Sequence, residues 1–443
     1  MQSLRNHFRV SLTLAFPVML AQLGHVLVSA ADSMMVGQTG EVPLAAISLG
    51  LIPFHIIMTF GLGISYGSTP LIAAADGEGD RSRISAIFKH SFIINMIFSA
   101  FLVAIVFGFS NMLSFWGQSE EVVELAIPFL EVVTFSLIPM MVFQTYRQFM
   151  EGLSMTKPAM YISIFANALN IFLNYLLIFG KWGFEPMGMM GAAWATLVAR
   201  VIMMIIIILY FYANRKFAVY RDGLWRMPLE AFRFKRILKI AVPAAFQYII
   251  EVGAFSFAIV MMGWISTTMQ AAHQIAINLA AITYMMATGF SSAATIRVGN
   301  QLGRKDIPNL RRAVLSILIL VVFFMSISAL IFVFGREVLP LFYNKEPEVV
   351  AAASGLLIMA ALFQISDGLQ VVAIGALRGL EDTLVPSYFI FIAYLVVGIP
   401  LGYFLGFELN WGAYGIWTGL CVGLTVTAIT LLIRFNKLSK RLL

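Results

Sequence analysis

The sequence predicts an all-α, polytopic membrane protein with twelve transmembrane helices in two similar six-helix lobes. Three observations predict it. The chain of 443 residues is 60% hydrophobic and only 12% charged, with a mean hydropathy of +0.89. Its apolar residues fall into twelve runs long enough to cross a bilayer. Its second half repeats the first at a constant offset.

The composition comes first because it sets the solvent. A soluble domain carries roughly twice this charged fraction, so lipid must cover the apolar excess. The net charge of +7 lies in the segments between apolar runs, which points to anionic headgroups and excludes a nucleic-acid reading. Cys421, the single cysteine, lies in the apolar run WTGLCVGLTV and reads as a packing residue.

A span needs about 20 mostly apolar residues. The runs fall at roughly 10–37, 45–74, 88–111, 122–146, 158–180, 190–213, 236–263, 271–297, 312–335, 349–376, 386–406 and 412–434. Several exceed the minimum, which allows tilt or a broken helix. The N-terminus, the even-numbered turns, the linker from Arg215 to Lys239 and the C-terminus form one side. That side holds Arg5, Arg9, Arg81, Arg83, Lys89, Arg147, Lys157, Arg304, Lys305, Arg311, Arg312, Arg434, Lys437, Lys440 and Arg441. The other side holds Lys181, Arg336 and Lys345 among acids. Positive charge stays in the cytoplasm, so both termini are expected there, in a multi-pass plasma (inner) membrane protein.

The repeat has an offset of 226 positions. Ala15-Phe16-Pro17 meets Ala241-Val242-Pro243, Gly37 meets Gly263, and Gly63 meets Gly289. Gly77 meets Gly303, Asp80 meets Asp306, Gln144 meets Gln370 and Gly180 meets Gly406. Small gaps bring Pro158 to Pro386 and Gly191-Ala192 to Gly412-Ala413. An even number of spans per copy gives both copies one orientation. The expected lobes are 1–225 and 226–443. The first apolar run, although preceded by Arg5 and Arg9, is a span rather than a cleaved leader, because it has a counterpart in the second copy.

Ionisable residues inside spans each cost at least ~2.5 kcal/mol near a helix centre, so they need a reason. Asp32, Glu251 and Asp367 are the acids so placed, and Arg200 the deep base. Gln22, His25, Ser29 and Asp32 share one face of the first span, above Pro17, which can hinge the helix. Asn167, Asn170 and Asn174 form a second stripe, with Thr196 and Arg200 a turn apart on the next span. In the second copy the polar positions differ: Gln247 and Glu251, then His273, Gln274 and Asn278, then Gln364, Asp367 and Gln370. Asp32 meets Ala258 at the repeat offset, so the acids are not duplicated. A desolvated carboxyl can carry a proton, and carboxylates with amide and hydroxyl oxygens can hold a hard cation. Either device couples an ion gradient to a conformational change if the two states bind the ion differently. The same polar groups also serve as interhelical glue.

Motifs for other chemistry are missing: no GxxxxGK[ST] loop, no HExxH and no cysteine cluster. GLGISYG at 61–67 sits in an apolar span, where small residues permit close helix packing. No cofactor, no metal beyond a hard cation at those oxygens and no enzymatic activity is expected.

The chain resembles the multidrug and toxic compound extrusion (MATE) transporters, through AFPVMLAQ at 15–22, ADSMMVGQ at 31–38, NALNIFLNYLLIFG at 167–180, GAAWAT at 191–196 and QVVAIGALRGLEDT at 370–383. The resemblance implies two lobes around a central cleft and export of cationic or amphipathic compounds in exchange for sodium or protons. It implies a first-lobe cation site of Asp32, Asn170, Asn174 and Thr196. Position 174 is Asp in some members, so Asn here removes one charge. Glu251 and Asp367 match the second-lobe acids of the NorM-like branch, which favours sodium over protons as the coupling ion. Gln22, His25, Gln247, Gln274, Asn278, Tyr284 and Gln364 are the expected cleft-lining residues, in a chain acting as a monomer. The rival readings are a flippase for a lipid-linked saccharide, which calls for more bases in the cleft, and a membrane-embedded enzyme.

Overall fold

The computed structural model describes residues 4–116 and 119–443. Among the described residues the chain is helical throughout, with no strand. Twelve helices among the described residues are long and apolar enough to cross a membrane: α1 Arg5–Gly37, α2 Val42–Glu78, α3 Arg81–Phe109, α4 Glu120–Gly152, α5 Lys157–Phe179, α6 Met189–Ala213, α7 Ala231–Ile265, α8 Thr267–Gly303, α9 Ile307–Gly335, α10 Pro347–Gly379, α11 Leu384–Glu408 and α12 Gly412–Arg441. Each expected span is present. The outward faces carry large apolar side chains, such as Phe323 and Leu330 on α9, as a lipid-facing surface requires.

Many helices overrun the apolar runs, because a cap ends a helix where hydrocarbon does not. α3 begins at Arg81 rather than near 88, with Asp80 accepting from the Arg83 backbone N–H at 2.9 Å. Its repeat mate Asp306 caps α9 in the same way, accepting from Asn309 N–H at 3.2 Å. Three spans are irregular. α2 breaks at a turn after Ser65. α4 breaks at Ser136. α11 contains π-helical turns at Ile392–Gly398 and Phe404–Glu408.

The contacts divide the chain into two compact units, Leu20–Ala245 and Met1–Met19 with Phe246–Leu443. Both boundaries fall inside a helix, two residues past a proline: Pro17 within α1 and Pro243 within α7. Within the Leu20–Ala245 unit, the start of α7 packs on α2, where a Cβ at Gly63 would sit 2.3 Å from Ala245 Cα. Within the other unit, the start of α1 packs on α8, where a Cβ at Gly289 would sit 2.3 Å from Met19 Cγ. The two glycines and their two partners are each 226 positions apart, so one close approach is made twice. Close packing is thus the work of the small residues at 61–67.

Two basic residues assigned above to the cytoplasmic turns belong to the interior. Lys89 is buried on α3 and donates to the carbonyl oxygens of Trp225 and Met227 at 2.9 and 2.6 Å. Arg147 is buried on α4 in an ion pair with Glu151. The segment between α6 and α7 is therefore docked on its own unit, with Phe217 and Leu224 in the core. His90 completes the docking: one ring nitrogen meets the Glu230 N–H at 2.9 Å, and the other meets Ala86 O at 2.7 Å.

Candidate functional site

Each unit gathers its intramembrane acids into a separate polar cluster. In the Leu20–Ala245 unit, α1, α5 and α6 contribute. Asn170 and Asn174 lie one turn apart on α5, so both amides face the same way. Asp32 Oδ1 accepts from Asn174 Nδ2. The same Nδ2 donates to Asn170 Oδ1 at 3.3 Å, and Asn170 Nδ2 donates to Thr196 Oγ1 at 3.3 Å. The four residues expected as a first-lobe site thus form one hydrogen-bonded chain. Asn174 Oδ1 is shut from solvent with no hydrogen-bond partner. It is a buried acceptor, the kind of atom a cation or a protonated group satisfies.

Gly24 permits this meeting, since a Cβ there would lie 2.5 Å from the Asn167 amide on α5. Gln22 and His25 lie on the same stretch of α1, half-buried, and His25 Nε2 has no hydrogen-bond partner. Arg200 does not join the chain through a hydrogen bond of its own. Its guanidinium donates to Ser136 Oγ at 2.7 Å, touches Met58 Sδ at 3.9 Å and lies 5.3 Å from the Phe54 ring centroid. Ser136 reaches it from the break in α4, a feature with no sequence signal.

In the other unit the hub is Glu251 on α7, only 7% exposed. Its Oε1 accepts from Gln370 Nε2 at 3.0 Å and its Oε2 accepts from Tyr284 OH at 3.3 Å. Gln370 Oε1 accepts in turn from Tyr394 OH at 3.0 Å, which fixes the direction of the amide. Asp367 is buried on α10 one turn before Gln370. Both donors to Glu251 are neutral, so they orient the carboxylate without cancelling its charge.

The other expected positions divide by exposure. Gln274 is exposed and donates to Asn278 Oδ1 at 3.0 Å. Gln247 is buried and committed to Thr383 O at 2.8 Å and Ser387 Oγ at 3.1 Å. Gln364 is buried, and neither atom of its amide has a hydrogen-bond partner. His273 accepts from Trp417 Nε1 at 3.1 Å, within packing.

Gln370, expected as the next step of the Gln364–Asp367 stripe, is brought onto Glu251 by the fold. Sequence reasoning missed Tyr394 beside the site and Arg297 apart from it. Tyr394 sits in a π-helical turn of α11, where the usual helical spacing does not hold. Arg297 is a second deep base, buried on α8 at what the apolar run marks as a span end. The asymmetry of the clusters also sharpens: 226 positions before Glu251 stands His25. Chemically, each cluster is a carboxylate among amide, hydroxyl or phenol oxygens. That donor set suits a proton or a hard monovalent cation and is a poor set for zinc or copper.

Comparison with known proteins places this architecture. The MatE family model matches residues 17–176 and again 243–404, so the two matches begin 226 positions apart, at the offset of the repeat. A probable multidrug resistance protein NorM of Rhizobium meliloti (strain 1021) is 33% identical, over 98% of this chain and 94% of that protein. A multidrug resistance protein MdtK of Photorhabdus laumondii subsp. laumondii is 31% identical, over 100% of this chain and 98% of that protein. Among solved structures, a MATE protein in the straight conformation superposes with a TM-score of 0.91 at 19% identity, covering 98% of this chain and 97% of that one. A eukaryotic MATE transporter superposes with a TM-score of 0.88 at 20% identity, covering 99% and 98%. The chain belongs to the MatE family, and is a multi-pass membrane protein.

Proposed function

We propose that this member of the MatE family is a secondary antiporter that exports cationic or amphipathic small molecules, drugs among them, in exchange for sodium or protons. The observation that carries the reading is the Glu251 cluster. A carboxylate 7% exposed is held by two neutral donors, Gln370 and Tyr284, with a second buried acid, Asp367, on the same α10 stripe. Two such acids in a low-dielectric interior need a counter-charge. The groups that hold Glu251 supply none, so an exchangeable proton or cation meets the need. The Asp32 chain, with the unpartnered Asn174 oxygen, offers a separate place for the same service.

Ion entry at either cluster shifts the conformational balance only through unequal affinity for the two states. Pro17 is where we place the flexing of α1, next to the point at which that helix passes from one unit to the other. Sodium is our preferred ion, because the second cluster pairs Glu251 with Asp367. The relatives' names as multidrug resistance proteins support a drug-like substrate. Gln22 and His25 in one unit, and Gln274, Asn278 and Tyr284 in the other, are the groups we assign to substrate. Gln247 and Gln364 join them only if the helices that bury them part. Both termini are assigned to the cytoplasm on the charge bias.

The test is dye efflux from proteoliposomes under imposed sodium or proton gradients, with Asp32→Asn and Glu251→Gln beside the parent. One gradient drives efflux in the parent, and each variant loses most of that drive. Full coupling in both variants removes the site assignment. A parent that moves no cationic dye under either gradient removes the antiport reading.

A further inference from the structure

A small notch opens in the Leu20–Ala245 unit, where the end of α2 and the start of α3 meet the first turns of α7. It is lined by Leu71 and Ile237, both buried, and by Arg83, Arg233, Arg236 and Phe232. Its volume of about 20 Å³ has room for one oxygen-sized group. Arg83 pairs with Glu78, and Arg233 with Glu230. Both carboxylates are more than a third exposed, so these pairs hold the arginines loosely. Each guanidinium has five N–H donors, and such a pair occupies few of them. The Arg233 guanidinium also lies 4.9 Å from the Phe232 ring centroid. Phe232 itself is 59% exposed, beside an exposed Leu229.

The internal repeat shows what this position does when it is filled. At the offset of 226, Leu71 corresponds to Arg297, Ile237 to Ser11 and Arg233 to His7. In the unit formed by Met1–Met19 and Phe246–Leu443, Arg297 is 5% exposed. It donates to His7 O at 2.9 Å and Ser11 Oγ at 2.6 Å, and meets His7 Nδ1 at 2.6 Å. One copy of the fold therefore fills the position with a resident guanidinium. The other has leucine there, and Arg83, Arg233 and Arg236 line the notch beside it.

We propose that the notch is a binding site for the phosphate of an anionic membrane phospholipid. A phosphoryl oxygen enters the notch and the arginines hold the diester at its mouth, the arrangement in which guanidinium forks bind phosphate best. Phe232 and Leu229 give the glycerol and upper acyl chain an apolar surface, which a free phosphate ion has no use for. A basic pocket between helices at a membrane boundary is the setting in which such headgroups are recognised. The proposal is independent of the antiport reading.

The purified full-length protein in neutral detergent is the sample, and retained lipid per chain, by native mass spectrometry, is the readout. Phosphatidylglycerol, phosphatidylcholine and inorganic phosphate are the probes. The parent retains phosphatidylglycerol over phosphatidylcholine, and millimolar phosphate does not displace it. Arg83→Gln and Arg236→Gln each weaken retention about fivefold, while Lys437→Gln, in the other unit, leaves it unchanged. Leu71→Arg copies the resident arginine of the other repeat and abolishes retention, although it adds a positive charge. Retention that is unchanged in the two glutamine variants overturns the site. Tighter binding by Leu71→Arg means general surface attraction and overturns it as well. Displacement by inorganic phosphate overturns the lipid as the source of the anion. If Leu71→Arg does not fold, the surface glutamine variants decide alone.

Discussion

Arg147→Met removes one half of a charge pair that the Leu20–Ala245 unit keeps almost wholly from water. Arg147 Nε donates to Glu151 Oε1 at 2.6 Å, one turn apart on α4, and the side chains are 3% and 1% exposed. At that separation, even a dielectric of about 20 gives an attraction of about 6 kcal/mol. The desolvation of both ions consumes most of it, so the pair adds little net stability over an apolar pair of similar volume. Breaking it is another matter, because Glu151 then stays buried with the Arg147 charge gone. The expected loss is about 3–5 kcal/mol for Arg147→Met or Glu151→Leu alone. The double variant returns to within about 1 kcal/mol of the parent or exceeds it. The assay is unfolding by SDS titration from mixed micelles, followed by helical circular dichroism. Two single variants within about 1 kcal/mol of the parent would refute the reasoning. A double variant that loses the sum of both would refute it equally, since the cost would then come from packing.

Gly63→Ala places a Cβ 2.3 Å from Ala245 Cα, a backbone atom that cannot rotate aside. A loss of about 1–3 kcal/mol is expected, whereas Gly108→Ala, with open space around it, leaves stability unchanged or raised in the same titration. Tyr394→Phe leaves Gln370 Oε1 buried without its donor and frees the amide to turn away from Glu251. That variant loses about 1–3 kcal/mol of stability and a larger share of gradient-driven efflux than a Phe391→Leu control on the exposed face of α11. Equal efflux in the two variants would detach Tyr394 from the site.

Much of the candidate site was legible because an ionisable group in an apolar run stands out. Asp32, Glu251 and Asp367 announce themselves in that way, and the Asn170–Asn174 and Gln364–Asp367–Gln370 stripes follow from helical spacing. Legibility ends where a helix departs from regular geometry. Tyr394 in a π-helical turn and Ser136 at a break in α4 gave no periodic signal. It ends again at the membrane boundary, where Lys89, Arg147 and Arg297 read as loop or span-end charges and are buried with specific partners. Hydropathy reports the average environment of a segment, and a single paired ion inside it barely changes that average.

The sequence by itself determined the twelve spans and the duplication, because both rest on local quantities: runs of apolar residues matched to bilayer thickness, and an offset countable along the chain. It also marked Asp32, Glu251 and Asp367 as acids inside apolar runs. Only the tertiary structure decided what those charges meet. Glu251 finds Gln370 across 119 residues, and Asp32 finds Asn174 across 142. It also decided that the compact units exchange partners just past Pro17 and Pro243, so that each repeat's first helix begins in one unit and ends in the other. A hydrogen bond depends on the register and rotation of two helices to within a fraction of a turn. Those quantities are set by how side chains such as those around Gly63 and Gly289 let the helices approach.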